Sequence, residues 1–456
     1  MTRCTIWLFA ALSLPFSLST AQTAGEDAKP ALGLWREPSD FPIPYAPMEA
    51  EQIETVMGRV VDYLAVASPI RIIDLDTEEL LEEGQSWPDR PGLQRGLFSL
   101  ISYEWGVTYA GMIAAGEQTG DTRYWDFVTS RLSTIARLGK VYGEMDAEQR
   151  PRRYPTRRLL DPHTLDHCGA MSAALIKARR SQASIGGLEP LFESGLAHIS
   201  QQQLRLSDGT LARNRPLPNS LWLDDLYMSV PALAQMGLET GETSYFDDAA
   251  KQVLQFAQRM FVEENKLYRH GWVAGMEEHP FFPWGRANGW AFMAKAELLS
   301  AMPLDHPQRA ATLDLFRAHA QGLVRAQGIN GLWHQLLDRP ETYEETSASA
   351  MFVFGLAKGI NEGWLDAAVY GPATSLGWNA VSQQVNELGQ VEGTCVGTGM
   401  GWDPAFYAYR NTNVYAAHGY GPVLLAGAEV LALMRAAGKE ANLHDGAVHF
   451  GETPDW

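Results

Sequence analysis

The chain has 456 residues, 46% apolar and 20% charged, which is enough for one large domain or two to three ordinary ones. Its net charge of −18, from 54 acidic and 36 basic side chains, argues against nucleic acid as a partner, because binding phosphates takes clustered Lys and Arg. The same field does not favour an acidic membrane surface, and an acidic substrate would need local cations to overcome it.

The chain opens on "MTRCTIWLFAALSLPFSLSTAQT". Arg3 gives a positive start, an apolar run follows, and Ser19, Thr20 and Ala21 supply small residues at a cleavage site. Residues 1–21 therefore read as a secretory signal peptide cut after Ala21, and the mature protein is expected to be periplasmic or secreted. Pro15 and several serines disfavour a stable membrane span, and no other stretch could form one. Residues 22–46, rich in Pro, read as an extended N-terminal arm, and residues 440–456 as a C-terminal tail. Cleavage leaves two cysteines, Cys168 and Cys395. An export compartment permits a disulfide, but two buried thiols are expected, since a domain of this size needs no staple.

Between arm and tail, few windows look like strands. Amphipathic helices dominate, and they come in pairs. The first of each pair, such as "CGAMSAALIKA" or "GWAFMAKAELLSAM", is rich in Ala, Gly, Met and aromatics on nearly all sides, as a buried helix would be. The second, such as "TSYFDDAAKQVLQFAQRMF", carries charge on one face. The inner helices are expected to start near residues 103, 165, 224, 286, 346 and 412, a period of about 60 residues that calls for a repeat architecture. The sixth outer helix would be residues 47–66. The expected fold is a single all-α catalytic domain over residues 47–439, an (α/α)6 barrel.

Each inner helix is entered through a segment dense in Trp, Asp, His, Arg or Gly. With all inner helices running the same way, these segments would surround one mouth, the natural place for a ligand. "LWLDDLYMSVP" puts Trp222, Asp224 and Asp225 at a helix start. Such acids can simply cap a helix or offset its dipole. Against an apolar wall, however, a carboxyl can stay protonated and act as a general acid. Asp166, in "HTLDHCGAM", stands at the preceding inner-helix start, and two carboxyls facing one cavity suit acid/base work on a sugar. His163 and His167 flank Asp166 at a metal-like spacing. The acid is Asp rather than Glu, though, and no third ligand motif follows. "HGW" offers His270 as a hydrogen-bonding partner. "WGRANGW" offers Arg286, which could pair with a carboxylate, and Trp290, which could stack on a sugar. "GLWHQLLD" adds Trp333. "GTCVGTGMGW" is Gly-rich but lacks the Lys and helix of a nucleotide loop, and no G-x-S-x-G elbow is present.

Taken in order, "WLDDLYM", "WGRANGW", "EETSASAMF" and "GTCVGTG" resemble glycoside hydrolase family 105 and the related family 88, over residues 50 to 436. The resemblance implies an unsaturated rhamnogalacturonyl or glucuronyl hydrolase. Such an enzyme removes a 4,5-unsaturated uronic acid from the non-reducing end of oligosaccharides left by polysaccharide lyases. It implies hydration of the double bond rather than direct displacement: an aspartic acid protonates carbon 4 and water adds at carbon 5. It assigns the acid/base role to Asp224 and the second active-site aspartate to Asp166. His270, Arg286 and Trp290 fall on substrate-binding positions, while the role of Asp225 stays open. Val273 stands where relatives often carry Asp. No cofactor or metal is required by this chemistry. An unsaturated oligosaccharide is the expected partner, with the chain acting as a monomer or weak homo-oligomer. A polysaccharide lyase or inverting glycosidase on the same barrel, or a non-catalytic carbohydrate-binding protein, are the competing readings.

Overall fold

Helices buried on nearly every side form the inner wall of the structure, a computed structural model that describes residues 46–82, 84–146, 148–436, 441–444 and 447–450. The expected signal peptide and all of the expected N-terminal arm but Ala46 lie outside the described residues. In chain order the elements begin with α1 (Ala50–Ala67) and the ribbon β1 (Ile72–Asp74) with β2 (Pro91–Leu93). The helices α2 (Tyr103–Thr119), α3 (Thr122–Glu144), the one-turn α4 (Arg157–Leu160), α5 (Leu165–Arg180) and α6 (Glu189–Ala197) follow. Then come β3 (Ser220–Trp222), α7 (Val230–Thr240), α8 (Thr243–Met260), β4 (Phe261–Val262), β5 (Leu267–Tyr268) and β6 (Gly271–Val273). The remaining helices are α9 (Gly285–Ala301), α10 (Arg309–Arg325), α11 (Thr346–Asn361), α12 (Ala367–Gln383), α13 (Pro404–Ala408) and α14 (Tyr420–Ala436). The expected tail contains a hairpin, β7 (Ala441–His444) with β8 (Ala447–Phe450), whose second strand lies against α12.

The inner ring runs α2, α5, α7, α9, α11, α14 and closes back on α2. Behind them sit α3, α6, α8, α10, α12 and, from the N-terminal side, α1 behind α14. This is the (α/α)6 barrel. Composition explains the two layers. Every residue of α9 except Ser300 is buried, so the helix needs an apolar or satisfied side chain at each position. On α8 the buried apolar residues Phe246, Ala249, Ala250, Val253, Phe256 and Met260 form one stripe at helical spacing, with Gln252 buried beside them, and the charged Asp247, Asp248, Lys251 and Arg259 lie outside it. Glycine lets inner helices touch the backbone of a neighbouring helix or of the turn that leads into it. A Cβ on Gly169 of α5 would lie 1.8 Å from the Met228 carbonyl oxygen, and one on Gly106 of α2 would lie 2.6 Å from the Ala170 carbonyl carbon.

Two inner helices start later than expected. Residues 223–226 form a single 3-10 turn, and α7 begins only at Val230, with Pro231 in its first turn. The expected start near 412 is a loop, and α14 begins at Tyr420, with Pro422 as its third residue. Proline has no N–H to give and clashes one turn back, so it is accommodated best in the first turn of a helix. The effect is to leave Asp224 on a turn above α7 rather than inside a helix. Strands are more frequent than the sequence suggests, but each is two to four residues long.

Candidate active site

One of these small ribbons builds the site. β3 pairs antiparallel with β6, placing Trp222 opposite Gly271, and the Leu223 N–H donates to the His270 carbonyl at 3.0 Å. The turn carrying Asp224 is thereby fixed beside His270. Successive residues on a 3-10 turn point about 120° apart, so the two adjacent aspartates face different surroundings. Asp224 lines a cavity of about 250 Å³ with Tyr103, Asp166, Arg213, Arg215 and Trp222. Asp225 is completely buried beneath it.

Neither acid acts as a helix cap. The Asp166 carboxylate accepts from Arg213 Nη2 at 2.7 Å and Nη1 at 2.8 Å, and from Arg215 Nη2 at 2.8 Å. The same buried Arg213 guanidinium donates through Nε to both Asp225 oxygens at 2.8 and 2.9 Å. One arginine thus bridges two carboxylates, a charge-assisted arrangement stronger than a neutral hydrogen bond. Burial pushes the Asp166 carboxyl up, but Arg213 and Arg215 outweigh it and hold it below the usual carboxylate range. For Asp225 burial wins over Arg213, and its pKa is raised to about 6. Trp222 supports both arginines. Its indole N–H donates to the Arg215 carbonyl at 2.8 Å, and its ring lies 5.1 and 5.2 Å from the two guanidinium carbons.

Asp224 has a different partner. Its Oδ2 lies 3.1 Å from Nε2 of His270, a fully buried imidazole. The other ring nitrogen, Nδ1, is 2.7 Å from the hydroxyl of Tyr407 on α13. Gly401 N–H donates to that hydroxyl at 3.0 Å, and burial raises the Tyr407 pKa, so the phenol keeps its proton. On the far wall the Tyr103 hydroxyl is 2.7 Å from Nε2 of buried His418, and burial likewise keeps that phenol neutral. The cavity therefore presents one aspartate fixed as an anion by two cations. It also presents a second whose neighbour is a fully buried imidazole. Separating two carboxyls by environment is how one site runs acid and base chemistry together.

Of the candidate substrate contacts Trp222 lines the cavity, His270 is fully buried behind Asp224 and does not line it, and four others lie elsewhere. Arg286 is buried, and its guanidinium donates to the carbonyls of Cys395 and Val396 at 2.7 and 2.8 Å, so it is no clamp for a substrate carboxylate. Glu345, at the N-terminus of α11, accepts from Cys395 N at 2.8 Å and from Ser347 Oγ at 2.8 Å. "WGR", "EETSAS" and "GTCVGTG" thus form one buried network that pins the Gly397–Gly399 wall of the cavity. Trp333 is completely buried, with its indole N–H on the Leu323 carbonyl and its ring against Phe352. Trp290 is buried between Tyr227 and Tyr103 and reaches the cavity only through Tyr103. Asp225 supports Arg213 from below and does not reach the cavity. Arg213, Arg215 and Tyr407 were not singled out in the sequence. For the arginines a signal existed, because residues two apart on an extended segment share a face. Cys168 and Cys395 are both buried free thiols. His167 Nδ1 accepts from the His163 backbone N–H at 3.3 Å, and His163 sits 3.6 Å from Asp161. Among the described residues, no three His, Cys, Asp or Glu side chains converge as metal ligands would. Among them, too, no helix is long and apolar enough to cross a membrane.

The profile of Glycosyl Hydrolase Family 88 matches residues 79–434. The unsaturated 3S-rhamnoglycuronyl hydrolase of Formosa agariphila is 33% identical over 224 residues, which is 46% of this chain and 58% of that protein. An unsaturated rhamnogalacturonyl hydrolase of Bacillus subtilis is 30% identical over 182 residues, 40% of this chain and 51% of that protein. The chain spans about half the length of these curated relatives. A solved structure from Salmonella enterica serovar Paratyphi A, described as a possible member of family 105, matches with a TM-score of 0.64 at 21% identity. That match covers 87% of this chain and 96% of the other, and the likeness is one of fold.

Proposed function

Given that this chain belongs to glycosyl hydrolase family 88, we propose that it removes a 4,5-unsaturated uronic acid from the non-reducing end of lyase-generated oligosaccharides. The observation that carries this reading is the pairing of Asp224 and Asp166 in one cavity with opposite partners, an imidazole for one and two guanidinium groups for the other. The relatives named as hydrolases of unsaturated rhamnoglycuronyl and rhamnogalacturonyl substrates support the reaction class.

In this account the Asp224 carboxyl gives its proton to carbon 4 of the enol ether. Positive charge develops at carbon 5 and the ring oxygen, and the fixed Asp166 anion stabilises it. The Asp224 carboxylate, now a base, takes a proton from water as the oxygen adds to carbon 5. His270, held by Tyr407, orients the carboxyl through both protonation states. The hemiketal so formed opens to a ketone, carbon 1 becomes a hemiacetal, and that centre expels the next sugar. One water is consumed. Arg215, with its side chain 55% exposed, is the cation placed to meet the substrate carboxylate. Arg213 is already saturated by two aspartates. Rhamnogalacturonan, ulvan and glycosaminoglycan digests all supply such an end group. Incubating the enzyme with each lyase digest and following the ultraviolet absorbance of the conjugated acid tests the proposal. The absorbance should fall for at least one digest. A rise on intact polymer would show a lyase, and binding without any change would show a carbohydrate-binding protein.

A further inference from the structure

The stretch "RPRRYPTRR", residues 150–158, holds five arginines and no acid in a chain of net charge −18. Two of the five are occupied. Arg150 donates through Nε to the Met145 carbonyl at 3.0 Å, and Arg157 through Nη1 to the Arg152 carbonyl at 3.2 Å. Arg153 and Arg158 are exposed and, among the described residues, their side chains have no hydrogen-bonding or ionic partner. The same holds for Arg95. These three and Arg157 line a cavity of about 800 Å³ in which Asp161 is the one acid among the described lining residues. Gathering four arginines around a single acid costs stability, and the site they create is one for anions.

This cavity connects with the active site. It shares Phe98, Ser99 and Arg158 with a middle cavity of about 730 Å³, which in turn shares Tyr103, Asp166 and Arg215 with the inner one. The inner cavity has room for about one sugar, and the outer two are of the size that holds larger ligands. Tyr415, 51% exposed, gives the middle cavity an aromatic face on which a sugar ring can stack. With the non-reducing end at Asp224, this path offers the remainder of the oligosaccharide a way out.

We propose that the groove holds the reducing-end portion of the substrate and that Arg95, Arg153 and Arg158 recognise a further anionic group there, a sulfate ester or a carboxylate, on a sugar beyond the unsaturated one. The inference rests on the hydrolase reading for its orientation. Its test compares the wild-type enzyme with the double variant Arg153→Ser, Arg158→Ser, after thermal unfolding has shown the two equally folded. The substrates are an unsaturated disaccharide with a neutral second sugar, a sulfated unsaturated tetrasaccharide, the same tetrasaccharide desulfated, and one bearing a second uronate. Charge-assisted contacts from two exposed arginines should favour a charged tetrasaccharide by about tenfold in kcat/KM at low salt, fading as salt screens them. The double variant should lose that preference and keep its disaccharide rate. Preference for the sulfated or for the uronate-bearing substrate identifies the anion. A wild type blind to charge, or a variant that loses equally on the disaccharide, overturns the proposal while leaving the hydrolase reading intact. Should the wild type turn over no unsaturated substrate, that reading fails separately. Calorimetric binding of the charged tetrasaccharide then decides: tighter binding by the wild type supports the groove, and equal binding overturns it.

Discussion

His270 stands between Asp224 and Tyr407, with Nε2 3.1 Å from the carboxylate and Nδ1 2.7 Å from the phenol. The histidine is completely buried, so its two ring nitrogens have no other partners to choose from. Whichever nitrogen bears the hydrogen, the other accepts, and the proton state of Asp224 is tied to the orientation of the Tyr407 hydroxyl. Tyr407→Phe removes that tie without touching the cavity lining. It should lower kcat by about tenfold or more, since an unsatisfied buried polar atom costs about 1–3 kcal/mol, and leave KM nearly unchanged. Steady-state kinetics on an unsaturated disaccharide checks this. A change confined to KM would place Tyr407 in substrate binding instead.

Arg215→Gln should shift the acid limb of the activity profile. Arg213 and Arg215 together hold the Asp166 carboxyl below its usual range. Deleting one cation raises that pKa, so Asp166 protonates at a higher pH on acidification. The acid limb of kcat/KM therefore moves to higher pH in the variant. An unmoved limb would mean that the Asp166 charge is not needed in the rate-determining step.

The buried ion cluster gives a stability prediction. Arg213→Met strands Asp225 without a counter-charge and should cost about 3–5 kcal/mol, as removal of one partner from a buried pair does. Asp225→Asn should behave differently. Its folded pKa, about 6, lies above the unfolded value near 3.8. Its contribution to stability is therefore complete below the unfolded value and lost as the pH rises through about 6. Wild type should lose stability relative to Asp225→Asn across that window and not outside it. Denaturant unfolding at a series of pH values measures both effects.

Arg286→Lys keeps the charge but not the two-pronged geometry that holds the Cys395 and Val396 carbonyls. The cavity wall at Gly397–Gly399 should loosen, with faster proteolytic cleavage near residues 393–402 and reduced activity. Normal protease resistance together with lost activity would return Arg286 to direct contact with substrate.

Much of this was legible in the sequence. The repeat of inner helices exposed the barrel, because a helix apolar all round has only one place to go. Asp166 and Asp224 stood out as odd polar residues at inner-helix entrances, and His270 as the lone histidine of "HGW" after an outer helix. What escaped depends on contacts across the chain. Arg213 meets Asp166 from 47 positions away, and Tyr407 meets His270 from 137 away. No local pattern reports such pairings. Arg286, Trp290 and Trp333 were misplaced for the opposite reason: a buried Trp and a sugar-stacking Trp, or a loop-pinning Arg and a substrate clamp, look alike until burial is known.

The central claim is that Asp224 supplies the proton to the double bond. Asp224→Asn keeps the shape and can still accept from His270, but it has no acid proton to give. Under single-turnover conditions with a saturated enzyme, the fall in ultraviolet absorbance of an unsaturated disaccharide should slow by about 10²–10⁴-fold relative to wild type, with the disaccharide still binding by calorimetry. A variant that consumes the double bond at near the wild-type rate would contradict the account.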